Sequence, residues 1–120
     1  MNNKHKVIDL SYLNEISGEG TDLINDLIEM FFEQIPEYQK LLKDYFSKKE
    51  WINLGKTAHK AKSAILMVGM KELADDLKKL EENAKEGKNI NEYNEIIAKF
   101  VSESNAAIKE LHEIKKNQKN

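Results

Sequence analysis

The sequence predicts an all-α protein, an antiparallel up-down four-helix bundle with a short additional N-terminal helix. Three observations carry that expectation. Apolar residues recur at three- and four-residue spacing through nearly the whole 120-residue chain. Gly18, Gly69 and Gly87 fall between the periodic segments, where helix ends belong. The connections left over are short, and short connections favour antiparallel neighbours. With 40% hydrophobic and 33% charged residues, the chain reads as one domain over 1–120, its core spanning about 8–114.

Taken in order, Asp9 is placed to N-cap a short helix through Ile16, with Gly18 at its end. A second helix opens near Thr21, where Asp22 and Asp26 complement the positive end of its dipole. Its apolar stripe is Leu23, Leu27, Phe31, Ile35, Tyr38, Leu42 and Tyr45, and Pro36 is expected to kink or break it. Ser47 and Glu50 have capping-box spacing ahead of a third helix. That helix carries Trp51, Leu54, Ala58, Ala61, Ile65 and Val68 and breaks at Gly69. A fourth presents Leu73, Leu77, Leu80 and Ala84 before Gly87. Asn89 and Glu92 start the fifth, with Tyr93, Ile97, Phe100, Ser104, Ala107, Leu111 and Ile114 on its inner face. The polar tail 115–120 is expected to fray.

Composition removes several function classes. Without cysteine there is no disulfide framework, thiolate metal site or cysteine nucleophile. All 19 basic residues are lysine, and net charge is −2, so an extended nucleic-acid footprint is not expected. Ala64–Met70 is the longest run free of charged or strongly polar side chains, far short of the ~20 residues of a membrane helix. The start of the chain has no signal-peptide core, and the expected location is cytoplasmic.

Some motifs look like chemistry and fail on context. Gly55-Lys56-Thr57 resembles the end of a phosphate-binding loop, but Glu50 stands where that loop needs glycine, and no strand precedes it. Gly18-Glu19-Gly20 lacks the third glycine of a dinucleotide fingerprint. No His-Glu-x-x-His zinc motif occurs, and His5, His59 and His112 are far apart in sequence; His5 and His112 are expected to face solvent.

His59 stands out. On a helical wheel it lies about 130° from the centre of its helix's apolar stripe, so it should be exposed. Gly55 and Ser63, one turn to either side, are small and read as clearance for a close partner, with Ile52 and Leu66 as an apolar rim. A glycine inside a helix costs ~1 kcal/mol relative to alanine and so calls for a reason. Trp51 to Lys71 contains Lys56, Lys60, Lys62 and Lys71 and no acidic residue. Lys62, at i+3 from His59, reaches anything bonded to the ring. An exposed imidazole, an adjacent ammonium and cleared space suit an anionic group on nitrogen, a phosphoryl group above all.

The same residues carry a family resemblance. Ala58-His59-Lys60-Ala61-Lys62-Ser63-Ala64, then Gly69, Leu73 and Leu80-Glu81, resembles the histidine-containing phosphotransfer (HPt) domains of two-component phosphorelays. The Ile8-Asp9 start, the Phe32-x-x-x-Pro36 stretch and the Gly-x-x-Ala-His approach look like this family too, over roughly 8–110. Ser63 departs from the commoner glycine, and Ile65-Leu66-Met67 is bulkier than usual.

The resemblance implies a bundle with the phosphoacceptor midway along one helix. It makes His59 the acceptor from a receiver-domain aspartyl phosphate and the donor to another receiver, with Nε2 as nucleophile. Lys62 would steady the phosphoryl oxygens, and Glu81 would orient the ring through Nδ1. Ile52, Gly55, Lys56, Lys60, Ser63 and Leu66 form the expected docking face for receiver domains of response regulators and hybrid sensor kinases. No cofactor is expected on this chain, Mg²⁺ being brought by the receiver. The expected form is a stand-alone monomer, with no nucleic-acid or membrane partner. One rival reading is a non-enzymatic helical adaptor binding through the Ile52–Leu66 face. Another is the dimeric helical hairpin of a histidine kinase, which usually has an acidic residue where Lys60 stands.

Overall fold

The computed structural model describes residues 8–9, 11 and 21–118. Among them the chain forms four α-helices and one 3₁₀ turn: α1 (Thr21–Lys48), α2 (Trp51–Met67), α3 (Lys71–Glu86), the turn Ile90–Glu92 and α4 (Tyr93–Gln118). No strand occurs among the described residues. Cross-helix pairs run in opposite directions, as an up-down bundle requires. Along α1 and α4 they are Glu29 with Lys115, Phe32 with His112, and Gln39 with Ser104 and Asn105. Across α2 and α3, Gly55 faces Ala84 while His59 meets Glu81.

The core is the set of apolar stripes turned inward. Leu54, Ile65, Leu77, Leu80, Phe100 and Leu111 are fully buried, each contributing roughly 1.5–3 kcal/mol over an exposed position. The stripes of α2, α3 and α4 fall where periodicity places them. In α1 the phase is off by one residue in its first two turns: Ile24 and Ile28 are buried, whereas Leu23 is exposed and Leu27 only partly covered. Both choices satisfy a helical period up to Phe31, and packing against the neighbouring helices decides between them.

Two expected boundaries are corrected, and the break allowed for at Pro36 does not occur. Pro36 lies inside α1 without ending it. It faces solvent, where water can satisfy the carbonyl that loses its partner. Ser47 belongs to the last turn of α1, so no Ser47–Glu50 capping box forms, and Glu50 caps α2 without a side-chain hydrogen bond. The turn is closed instead by Lys49 N–H to Phe46 O and Glu50 N–H to Tyr45 O, at 3.1 and 2.9 Å, with Lys49 at φ 60°. This Schellman closure usually falls to glycine. Finally, α4 runs on to Gln118, and Lys115 pairs with Glu29, so the predicted frayed tail starts too early. The expected N-terminal helix from Asp9 through Ile16 lies outside the described residues, although Asp9 Oδ1 does accept Ser11 N–H at 2.9 Å.

The two tight corners at the ends of α3 use glycine for its backbone freedom. Gly69 (φ 77°) and Gly87 (φ 66°) end α2 and α3 in the left-handed region. Gly69 has a second reason: a Cβ there would lie 2.3 Å from Asp9 O. The N-terminal segment crosses at that point, with Asp9 N–H donating to Val68 O at 2.7 Å.

Candidate functional site

His59 sits midway along α2 with 54% of its side chain exposed. It lies outside the apolar stripe, as the wheel places it. The neighbouring helix supplies its partner: Nδ1 lies 3.0 Å from Glu81 Oε2. With the carboxylate ionised, Nδ1 carries the proton and donates it to Glu81, which leaves Nε2 with its lone pair free. Lys62 Nζ lies 3.6 Å from the other oxygen, Glu81 Oε1. One carboxylate therefore gathers the histidine and the lysine, each through its own oxygen.

Glu81 is only 15% exposed and Lys62 20%, so the two partners are more sheltered than the ring they serve. Partial burial by itself pushes the Glu81 carboxyl up. The His59 hydrogen bond and the charges of His59 and Lys62 outweigh that, and the net effect holds it below the usual glutamate range. Glu81 is thus a carboxylate at neutral pH. Its ion pairs go to His59 and Lys62 rather than to Lys85, the ordinary i,i+4 alternative on its own helix.

Around this cluster Ile52 and Leu66 are exposed at 57% and 43%, and Lys56, Lys60 and Ser63 are exposed as well. Ser63 Oγ donates to His59 O at 3.4 Å and leaves the ring uncovered on that side. Gly55 does not join this surface. It is buried, facing α3, and a Cβ there would lie 3.3 Å from Glu81 O and 3.4 Å from Ala84 Cβ. The small residue at 55 makes room for a helix of the same molecule, not for a docking partner. A wheel centred on the stripe of one helix misses this, because α3 covers the flank as well as the core face.

Two features are not visible in the sequence alone. Ala84 is the facing half of the Gly55 contact, and its only signal is a small residue in the α3 stripe. Asp9 and Ser11 line an open hollow with Ser63, Leu66, Gly69 and Lys71, which brings the start of the described chain next to the site. Among the described residues no cluster of three or more histidine and acidic side chains could hold a metal, and no helix is long and apolar enough to cross a membrane.

The described residues form a helical bundle in which an exposed histidine on one helix meets, through Nδ1, a carboxylate from the next. A family model, the Hpt domain, matches residues 26–114. The chain belongs to the Hpt domain family, and with it to histidine phosphotransfer in two-component phosphorelays. No curated protein and no solved structure matches it.

Proposed function

We propose that this protein is a phosphorelay intermediate whose acceptor is His59, taking a phosphoryl group from the aspartyl phosphate of one receiver domain and passing it to an aspartate on another. The observation that carries the reading is the 3.0 Å contact between His59 Nδ1 and Glu81 in a ring otherwise open to solvent. Family membership makes a receiver the partner class.

In the forward step the Nε2 lone pair attacks phosphorus as the bond to the receiver's aspartyl oxygen breaks, and that aspartate leaves as a carboxylate. The ring keeps its Nδ1 proton and becomes a charged phosphoimidazole, opposite the Glu81 carboxylate. Lys62 swings from its 3.6 Å contact with Glu81 to the phosphoryl oxygens, a small sacrifice because a partly exposed pair is weak. The reverse step returns the group to a second receiver. Mg²⁺ and most of the remaining electrostatics come with the receiver. Ile52 and Leu66 give an apolar rim, and Lys56 and Lys60 a cationic one, for the docked partner. The protein acts as a cytoplasmic monomer in this reading.

The test is incubation with a phosphorylated receiver domain. Acid-labile, base-stable phosphate on this chain, absent from His59→Gln, is the expected result. Stable partner binding without any phosphate on His59 would favour the adaptor reading instead, and a dimer on gel filtration would favour the kinase hairpin.

A further inference from the structure

Gly55 lies in the interior of α2, and its φ is not in the left-handed region, so backbone freedom does not account for a glycine there. What accounts for it is proximity. An added Cβ would meet Glu81 O at 3.3 Å, Ala84 Cβ at 3.4 Å and Lys85 N at 3.9 Å. Two of these are backbone atoms and the third is a methyl group fixed to backbone, so none can rotate aside. The Glu81 O distance is tighter than ordinary contact and the other two are ordinary contacts, so an alanine needs α3 to give by a few tenths of an ångström, and a longer side chain needs it to move further outward. The residue touched most closely is Glu81, whose side chain holds His59 Nδ1 one turn further along α2.

We propose that Gly55 is a positioning residue: it sets the separation of α2 and α3 at which the Glu81 carboxylate reaches His59, and thereby fixes which ring nitrogen carries the proton. The consequence for phosphotransfer rests on the function proposed above; the consequence for the ring does not.

The test uses Gly55→Ala and Gly55→Val in the full chain, with two readouts that need no partner. The first is the His59 tautomer, from long-range proton–nitrogen NMR correlations of the ring. The wild-type neutral ring is expected as Nδ1–H, and the variants are expected to move to a mixture, Val further than Ala. The second is the rate of His59 phosphorylation by phosphoramidate. In that step Nε2 attacks phosphorus, the P–N bond breaks, ammonia leaves, and the Nδ1 proton stays in place. Loss of one charged hydrogen bond predicts about a tenfold slower rate for Gly55→Val and a smaller decrease for Gly55→Ala. Because Gly55 acts through Glu81, adding Gly55→Val to Glu81→Ala should change the rate less than twofold, as expected when the first substitution already removes the interaction.

A wild-type ring without the Nδ1–H preference would overturn the proposal. So would a wild-type tautomer and rate in both variants, or a full further decrease in the Glu81→Ala background. If Gly55→Val does not fold, Gly55→Ala decides by the same ring spectrum. A receiver-dependent defect with an unchanged ring would mean that Gly55 serves the partner, and positioning would be wrong. The expected ring changes, without phosphate uptake from any receiver, would overturn the relay and leave the positioning intact.

Discussion

The two long faces of the bundle hold their histidines in different ways. On the α1–α4 side several polar groups pair with one another. Gln39 Nε2 donates to Ser104 Oγ at 2.8 Å and Asn105 Oδ1 at 2.9 Å, Lys115 pairs with Glu29, and His112 stacks on Phe32 with ring centroids 4.0 Å apart. On the α2–α3 side an imidazole and an ammonium converge on one carboxylate, and a ring nitrogen is left over. A histidine held by its face contributes to packing. A histidine held by one nitrogen has a defined tautomer and a second nitrogen able to react. Exposure does not distinguish the two, since both residues are exposed; the kind of partner does.

The largest effect that could break this contrast is a swap of the two histidines' fates. His59→Gln should abolish phosphate uptake from a phosphorylated receiver while leaving circular dichroism as it is. His112→Gln should do the opposite. Transfer stays at the wild-type rate, while stability falls by about 0.5–1.5 kcal/mol as the Phe32 stack is removed. Paired melting and transfer measurements decide, and a transfer defect in His112→Gln would end the division between the faces.

Ser63→Gln tests the open side of His59. The site is on the surface, so folding should hardly change. A long side chain one turn from the ring should still obstruct in-line approach of the receiver, and a misplacement of that kind costs on the order of 100-fold in rate. Transfer from a receiver should fall while phosphoramidate labelling is spared; equal decreases in both would locate the defect in the ring.

Lys62→Ala should slow transfer by about 5- to 30-fold, because the transition state forfeits a charged interaction of ~1–2 kcal/mol with the phosphoryl oxygens. Receiver binding, measured by titration, should be retained. A wild-type transfer rate in this variant would reduce Lys62 to a partner of Glu81.

The helices and the histidine were legible because they depend on local period. The stripe from Leu54 to Val68 sets the inward face of α2, and His59 falls outside it whatever the rest of the chain does. What failed depends on a second element. The phase of Leu23 and Ile24 is ambiguous within α1 alone and is resolved by what lies against it. Gly55 reads as open on a single-helix wheel and is closed by α3. The α1–α2 corner went unread for another reason: Lys49 takes a conformation that sequence signals assign to glycine. Glu81 was reached through the family pattern, since nothing local separates it from Glu82, which points to solvent one residue later.

The smallest expected effect is the pH dependence of the Glu81 cluster, and its sign follows from the direction of the shift. The folded-state Glu81 carboxyl is held below its ordinary value, net of the burial that opposes this. Its contribution to stability is therefore fully present above the ordinary glutamate range and is lost as pH falls through the lowered folded value. Glu81→Gln removes that titration. The stability difference between wild type and Glu81→Gln, from denaturant melts, should stay level on descending to the ordinary glutamate range, then shrink as pH falls through the lowered folded value. The Lys99–Asp76 pair gives the internal comparison on the α3–α4 side. There the lysine is raised by its Asp76 hydrogen bond, so Lys99→Met should alter the alkaline limb of the stability profile. A Glu81→Gln difference that grows toward acid would mean that burial dominates at Glu81. The carboxylate would then be held at a net cost for the sake of the ring beside it.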